Sequence, residues 1–229
     1  MPEPQIDPSH EIIYEDDSVV IVNKSGNLPV HEGGLYKENC LTKILENRYG
    51  HRLFPVYRID RETSGIVVFA RSSEKVKEIA PKIRHKEYIA VCRGKIDKII
   101  KIDEPIGECK GEHIRWKKCV SKEGKSAVTV VLPDKSTEKY SIVTVKPQTG
   151  RQHQIRVHLS HIGHPIIGDK IYGESDELFR QHLEGKGRKT GLIPRQALHL
   201  AKIEYDERTY EAELPDDMRE LIERLQEIS

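Results

Sequence analysis

The chain has 229 residues, of which 33% are charged and 36% hydrophobic, a composition sufficient for a globular core. No apolar run approaches the roughly 20 residues of a membrane-spanning helix, and residues 1–20 contain no Lys, no Arg and no apolar segment typical of signal peptides. The four cysteines lack CxxC spacing, so the sequence excludes the disulfide framework of a small secreted domain and predicts a cytoplasmic protein.

The net charge of +1 conceals an uneven distribution along the chain. Residues 1–20 carry −6 and residues 203–229 carry −7, which leaves +14 on residues 21–202. A basic body between two acidic ends favours a polyanionic partner such as a nucleic acid. A solvated surface of mixed charge is the alternative that charge alone leaves open.

Apolar runs bounded by turn residues predict the strands in the first half of the chain, and helical spacing of apolar residues predicts its helices. Leu41, Ile44 and Leu45 lie on one helical face, with Asn39 as a possible N-cap and Gly50 as the stop. The other predicted elements here are strands at 18–23, 66–70 and 87–93, and a helix over 74–84 capped by Ser72 or Ser73.

The second half of the chain is also rich in predicted strands. Residues 113–120 and 127–132 are expected to form a hairpin through the turn SKEGKS. Further predicted elements are a strand at 139–145, a short amphipathic piece and Gly/Lys-rich loop within 174–196, paired strands at 197–203 and 209–214, and a helix at 216–228. The apolar stripe of that last helix comprises Met218, Leu221, Ile222, Leu225 and Ile228.

Strands outnumber helices and do not alternate with them in a βαβ rhythm, which favours an α+β fold over a doubly wound sheet. We therefore predict a mixed, largely antiparallel β-sheet flanked by helices and loops. The sequence contains no repeat, low-complexity tract or long linker. The simplest partition is a tail of residues 1–10 followed by one domain over residues 11–229.

A dense group of ionisable residues, VYRIDRETSG at 56–65, leads directly into the apolar run IVVFA. Asp60 lies in this group between Arg58 and Arg61. Burial raises the pKa of a carboxyl group, whereas a neighbouring guanidinium lowers it. Chains seldom lead charged residues into a buried strand without a reason, so the segment is a candidate functional site. An alternative pairs Asp60 with Glu62 as the two carboxylates of a glycoside hydrolase.

A second unusual stretch, residues 146–173, reads KPQTGRQHQIRVHLSHIGHPIIGDKIYG. The spacing of its apolar residues predicts an amphipathic helix over 152–162, ended by Gly163. Arg151 and Arg156 would then be cations at the start and on one flank of this helix. Its free N-terminal N–H groups would add an environment favourable to anions.

Histidines in the same stretch raise a zinc site as an alternative: His153, His158, His161 and His164. HExxH spacing and a nearby Cys partner are both absent, which argues against it. The sequence also has no P-loop, no GxGxxG and no GxSxG motif. We therefore expect neither a metal nor a cofactor.

Taken together, these motifs resemble those of the RluA-type family of RNA pseudouridine synthases. The catalytic motif of that family, HRLDxxTSG, is similar to YRIDRETSG at 57–65, and its Lys-x-Tyr strand is similar to KEYIAV at 86–91. The family motifs TGRxHQIRVH and GHPIxGDxxYG are matched by 149–158 and 163–173, and its GKSA turn by 124–127. The resemblance spans about residues 11–217, nearly the whole chain.

The resemblance implies a pseudouridine-synthase catalytic domain that isomerises uridines in RNA without a cofactor. It implies that Asp60 is the catalytic carboxylate, that Tyr88 is the active-site tyrosine and that Arg156 pairs with Asp60. The expected partner is a stem–loop of tRNA or ribosomal RNA from which the target base is flipped. The residues expected to contact RNA are Arg58, Arg61, Arg151, Lys117, Lys118 and Lys125.

The chain departs from the family motif at two residues. Tyr57 stands where the family has His, and Ile59 stands where it has Leu; only the first change alters chemical character, and it leaves the subfamily open. An S4 domain is not expected before the core, and the lack of a surplus apolar stripe predicts a monomer. A catalytically silent RNA-binding protein on the same core is the remaining alternative, although the intact catalytic set argues against it.

Overall fold

A computed structural model describes residues 2–109, 117–173 and 192–227, so most of the predicted 174–196 segment lies outside the described residues. In the described part, no helix has the length and apolarity needed to cross a membrane. The strands are β1 His10–Glu15, β2 Val19–Lys24, β3 Phe54–Pro55, β4 Ser64–Ala70, β5 Ile83–Arg93, β6 Ile100–Asp103, β7 Ile106–Glu108, β8 Lys118–Val120, β9 Val128–Ser136, β10 Tyr140–Pro147, β11 Leu198–Tyr205 and β12 Arg208–Glu211. The helices are α1 Leu41–Tyr49, α2 Ser73–Ile79, α3 Gln154–His161 and α4 Asp216–Glu227.

The chain divides into two compact units, each built from two separate stretches of sequence. The first unit comprises Met1–Lys86 and His199–Pro215. The second unit comprises Glu87–Leu198 and Asp216–Ser229. Both units combine strands with helices, and antiparallel pairs outnumber parallel ones among the described strands. The predicted mixed α+β class is therefore confirmed.

In the first unit, the strands follow the order β1-β2-β4-β11, with β3 paired to β4 and β12 paired to β11. The pairing of β4 with β11 is parallel and places Gly65 opposite Leu200. Gly65 has a φ of +108°, and a Cβ atom there would collide with the backbone of Leu200. Only glycine therefore permits this close pairing immediately after the VYRIDRETS segment.

The core of the first unit lies between its sheet and α1. Leu41 and Leu45 are buried one helical turn apart, and Gly50 ends the helix in the left-handed conformation, with its N–H donating to Glu46 O. The predicted N-cap at Asn39 is wrong, because Cys40 occupies the N-cap position and its side chain makes no capping bond. The core residues are Val20, Val22, Leu28, Val30, Leu41, Leu45, Leu53, Val67 and Phe69.

Helix α2 is shorter than the predicted 74–84. Ser72, one of the two predicted N-caps, caps its start by accepting a hydrogen bond from the Lys75 N–H. The helix ends at Ile79, and a 3₁₀ turn over Ala80–Lys82 contains Pro81. Proline cannot donate the backbone hydrogen bond that would continue an α-helix, so the chain enters β5 at Ile83 instead.

In the second unit, β10 lies between β5 and β9, and β6 pairs with the other edge of β9, all antiparallel. The predicted hairpin between 113–120 and 127–132 is wrong in its pairing, and residues 113–116 lie outside the described part. Strand β8 pairs with β7 in a separate two-stranded sheet. The actual partners are β6, which pairs with β9, and β7, which pairs with β8. Residues 100–108 contain too few apolar residues and too many charged ones for these two strands to be predicted.

Helices α3 and α4 both belong to the second unit. Gly163 has the left-handed φ expected at the end of the predicted 152–162 helix. Helix α4 confirms the predicted C-terminal helix, and Met218, Leu221 and Leu225 of its apolar stripe are buried. Near its start, the Asp217 carboxylate accepts two hydrogen bonds from the guanidinium of Arg195, at 2.7 and 2.8 Å.

Candidate active site

Asp60 lies on the connection between β3 and β4, at the entry to the buried strand Ser64–Ala70. Residues 60–63 form a turn, which we call the Asp60 turn, closed by a hydrogen bond from the Thr63 N–H to Asp60 O at 3.1 Å. Thr63 is buried, whereas Asp60 is half-buried. The carboxylate therefore stands on a fixed backbone at the end of a rigid strand and retains partial access to solvent.

A buried lysine fixes the backbone beside Asp60. Lys24, at the end of β2, is only 1% exposed. Its Nζ donates to the carbonyl oxygens of Ser25 at 2.8 Å and of Arg61 at 3.0 Å. A buried ammonium must be compensated by such acceptors, because leaving it without them is costly. Lys24 was not predicted as a site residue, although a Lys two residues after the apolar run VVIV was a usable signal.

Both arginines that flank Asp60 are held by the loop of residues 31–36. The Nη1 of Arg58 lies 2.6 Å from Nε2 of His31, and Arg61 donates to the hydroxyl of Tyr36. Burial and the positive charge of Arg58 lower the pKa of His31, which keeps the imidazole neutral and able to accept this bond. The same loop thus orients both cations before any RNA is bound.

Tyr57, the residue that replaces the family's His, contacts a lysine. Its hydroxyl donates to Ile66 O at 3.0 Å, which ties the segment before Asp60 to β4. The Nζ of Lys86 lies 3.2 Å from the centre of the Tyr57 ring, a cation–π geometry. Burial lowers the pKa of Lys86 to about 8. The exchange of His for Tyr therefore provides an aromatic face for a partly desolvated ammonium.

Replacing Lys86 with Met should change how stability depends on pH. In the folded state the pKa of Lys86 is about 8, below its ordinary value of 10.5, so between these pH values the unfolded chain binds more protons. The free energy of unfolding of the wild type should therefore rise, relative to that of Lys86→Met, as pH increases from 8 to 10.5. Urea denaturation at pH 7 and pH 10 measures it. If the difference in free energy of unfolding between the two proteins stays constant with pH, the lowered pKa of Lys86 is contradicted.

A buried Ser–His pair joins the strand after the Asp60 turn to β11. Oγ of Ser64 and Nδ1 of His199 are 2.9 Å apart, and both side chains are almost fully buried. Nε2 of His199 lies 3.1 Å from Ala212 O, so this nitrogen carries the proton and donates it. Nδ1 then accepts from the Ser64 hydroxyl. The pair supports the parallel pairing of β4 with β11.

In the second unit, Arg156 is buried in α3 and bound by Asp169. Its Nε and Nη2 donate to the two carboxylate oxygens of Asp169 at 2.7 and 2.9 Å. Asp169 is 1% exposed and also accepts the backbone N–H groups of Ile171 and Tyr172. The Arg156 guanidinium lies 5.0 Å from the Tyr172 ring centre. Asp169 was not predicted as a site residue, although it lies in the GDKIYG part of the third motif.

The histidines of the third motif have separate partners. His158 is buried between Thr129 Oγ1 and Glu104 O, and burial lowers its pKa. His153 lies 2.8 Å from the Tyr172 hydroxyl, and His164 lies 2.9 Å from Arg93 O. Within the described ranges, no three His, Cys, Asp or Glu side chains are arranged to hold a metal ion.

The other predicted residues of the second unit differ in exposure. Tyr88 is half-buried on β5, opposite Val145 of β10. Arg151 is exposed and donates to Ser126 O at 2.9 Å, beside the exposed Lys125. Lys117 is half-buried, and Lys118 forms an ion pair with Glu108.

The Lys118 side chain is only 15% exposed, so its cationic group has limited access to solvent. The structure brings seven of the nine predicted residues into three local groups. In the first unit, Arg58, Asp60 and Arg61 share one segment. In the second unit, Arg151 lies beside Lys125, and Lys118 donates its backbone N–H to the Tyr172 hydroxyl next to Arg156.

Comparisons with known proteins agree with these motifs. The family model described as RNA pseudouridylate synthase matches residues 18–161. The chain is 32% identical to tRNA pseudouridine synthase C of Vibrio cholerae over 85% of this chain and 84% of that protein. It is 36% identical to the mitochondrial tRNA pseudouridine(32) synthase of Saccharomyces cerevisiae over 77% of this chain and 39% of that protein.

A solved structure supports the same assignment. The structure of human RNA pseudouridylate synthase domain containing 1 superposes with a TM-score of 0.70 at 26% identity, covering 94% of this chain and 86% of that one. The residues that the family model matches include the Asp60 turn and all of α3. The chain therefore belongs to the RNA pseudouridylate synthase family and is an RNA pseudouridine synthase, an isomerase.

Proposed function

We propose that this enzyme converts a uridine of tRNA to pseudouridine, with Asp60 as the catalytic carboxylate. The observation that carries the proposal is the position of Asp60. It stands half-buried on a turn fixed by Thr63 and by the buried Lys24, inside the segment that resembles the family's catalytic motif. A carboxylate held in this way is oriented before substrate arrives, as catalysis requires.

The reaction explains why a carboxylate is needed. Pseudouridine formation breaks the N1–C1′ glycosidic bond of uridine, turns the base and forms a bond between C5 and C1′. The hydrogen on C5 is released and N1 gains a proton, so no redox cofactor is required. Breaking the glycosidic bond builds positive charge on the sugar. Asp60 can stabilise that charge, form a covalent adduct with the sugar or remove a sugar proton.

Two further catalytic residues are part of the proposal. A phenol at Tyr88 can stack on the uracil, and its hydroxyl can assist removal of the C5 proton. Arg156 supplies a positive charge that keeps a carboxylate ionised in a pocket with little water. Asp169 orients Arg156 through two hydrogen bonds, which supports a role that depends on the direction of the guanidinium.

The proposed substrate is tRNA, and uridine 32 is the proposed position. The support is similarity to the Vibrio cholerae and yeast proteins, whose names assign them to tRNA and, in yeast, to position 32. Phosphates of the stem–loop would be bound by Arg and Lys side chains, and the enzyme would act as a monomer in the cytoplasm. The proposed RNA-binding residues are Arg58, Arg61, Arg151, Lys117, Lys118 and Lys125.

Pseudouridine mapping tests this substrate assignment. Total RNA from cells that lack the gene is labelled with carbodiimide and read by primer extension, beside RNA from cells complemented with wild type or Asp60→Ala. We expect a tRNA signal at position 32 to disappear without the gene, to return with wild type and to stay absent with Asp60→Ala.

Other outcomes of the mapping would redirect the assignment. Loss of a signal in ribosomal RNA instead would make ribosomal RNA the substrate class. A signal restored equally by Asp60→Ala would remove Asp60 from the chemistry. A map that does not change in cells where related synthases are also deleted would contradict the tRNA proposal.

A further inference from the structure

The loop of residues 31–36 carries an unusual exposed side chain. Leu35 is 73% exposed, more than the other large hydrophobic residues that are exposed in the described part of the chain, Ile99 at 66% and Leu192 at 39%. An exposed leucine at a loop tip contributes nothing to a core. Its position is informative because this same loop holds the two arginines on either side of Asp60.

The tip is a closed turn and not an open loop. Gly33 and Tyr36 exchange two backbone hydrogen bonds, at 2.8 and 3.0 Å, with Gly34 and Leu35 between them. Gly34 has a φ of +57°, a conformation that glycine adopts without strain. Two-residue turns of this kind are short and stiff. Leu35 is therefore presented in a defined direction.

The base of the loop is attached on both sides. The Tyr36 hydroxyl accepts from Arg61, and the Arg61 guanidinium lies 5.6 Å from the Tyr36 ring centre. On the other side, the His31 imidazole binds Arg58, and Glu32 forms an ion pair with Arg52 at 3.5 Å. The chain that presents Leu35 is thus linked to Arg58 and Arg61, which lie two residues before and one residue after Asp60.

We propose that Leu35 is an apolar wedge that enters the base stack of the RNA beside the target uridine and holds the stack open while the uridine is flipped. This inference deepens the proposed function and rests on it. Apolar side chains of loops and strands commonly unstack base steps in this way when cations nearby bind the phosphates. Arg58 and Arg61 supply those cations at the base of the same loop.

The wedge compensates for lost stacking. A flipped base leaves a gap in the stack, and an apolar side chain that fills the gap recovers buried surface. Leucine suits this position because it has no polar group that would need a partner inside the stack. Its role is to position the substrate, since the carboxylate performs the chemistry.

The test uses the full chain and a 17-nucleotide tRNA anticodon stem–loop with uridine at position 32. A second RNA has an abasic site beside uridine 32, so the target base has already lost one stacking partner. We expect Leu35→Asn to lower the single-turnover rate about 30-fold on the intact stem–loop and less than about 3-fold on the abasic RNA. Leu35→Met should retain most of the rate on both RNAs.

The fluorescence of 2-aminopurine placed beside uridine 32 measures base unstacking separately from the reaction. In an Asp60→Asn background, we expect binding to increase the fluorescence with Leu35 present and to increase it far less with Leu35→Asn. Ile99→Ala is the matched control, because it removes a similarly exposed apolar side chain in the second unit. It should leave both the rate and the fluorescence unchanged.

Equal losses on the two RNAs, or no loss with Leu35→Asn, would overturn the wedge. So would an absent fluorescence response in the chain that retains Leu35. A different result would contradict the proposed function, namely turnover that survives Asp60→Asn in an otherwise unchanged chain.

Discussion

Purified Asp60→Asn should form pseudouridine at least about 10⁴-fold more slowly than wild type under single-turnover conditions. Losses of this size follow removal of a group that acts directly on the reacting atoms. Asn keeps the size and polarity of Asp but cannot stabilise a positive sugar or act as a nucleophile or base. Release of tritium from RNA labelled at C5 of uridine measures the rate, since C5 loses its hydrogen when it bonds to C1′.

Glu62→Gln is the matched control for Asp60→Asn. It removes the neighbouring carboxylate of the same turn, which pairs with Arg61 at 3.0 Å and is largely buried. We expect it to reduce the rate by less than about 10-fold, because a carboxylate that orients an arginine acts on the reaction indirectly. Equal losses in the two variants would favour a mechanism with paired carboxylates. Residual activity above about 1% in Asp60→Asn would contradict a direct role.

Asp169→Asn should reduce both stability and turnover. Arg156 is 5% exposed, and Asp169→Asn removes the carboxylate that accepts hydrogen bonds from its guanidinium; breaking a buried ion pair in this way costs about 3–5 kcal/mol. Misdirection of Arg156 should also lower the maximal single-turnover rate about 100-fold, since small displacements of catalytic groups have effects of this size. Urea denaturation and the tritium assay at saturating RNA measure the two effects.

The second buried Arg–Asp pair of the same unit provides the control. Asp217 accepts two hydrogen bonds from Arg195, with distances within 0.1 Å of those in the Arg156 pair. Asp217→Asn should lower stability, by less than Asp169→Asn because the Asp217 side chain is 34% exposed. It should leave the maximal rate of the folded protein unchanged. An unchanged maximal rate in Asp169→Asn would contradict the positioning of Arg156 for catalysis.

The elements with strong local patterns were predictable from the sequence. The strand after the Asp60 turn is a continuous apolar run, and α4 has a regular apolar stripe, so both were found nearly at their observed bounds. The boundaries of α1 and α2 were less accurate. Cys40 serves as an N-cap without a side-chain bond, and Pro81 ends α2 in a 3₁₀ turn; neither outcome follows from helical periodicity.

Partners that lie far apart in sequence were not predictable. Strand β8 pairs with β7, a choice that depends on tertiary packing and not on the intervening turn. The residues around the candidate site show the same limit. Lys24, Tyr36 and Asp169 act through contacts 37, 25 and 13 residues away, and a single sequence carries no signal of those distances. The motifs identified the reacting groups but not the side chains that orient them.

Because β4 pairs with β11, the strand beside the Asp60 turn depends on residues that the ribosome adds much later. Ser64 and His199 are separated by 135 residues, which takes roughly 7–27 s to translate at about 5–20 residues per second. During this interval the nascent chain exposes the edge of β4 that β11 will cover, at the glycine where the two backbones come closest. The first unit is completed only when residues 199–215 emerge, so a chain released early would lack the Ser64–His199 contact beside the Asp60 turn.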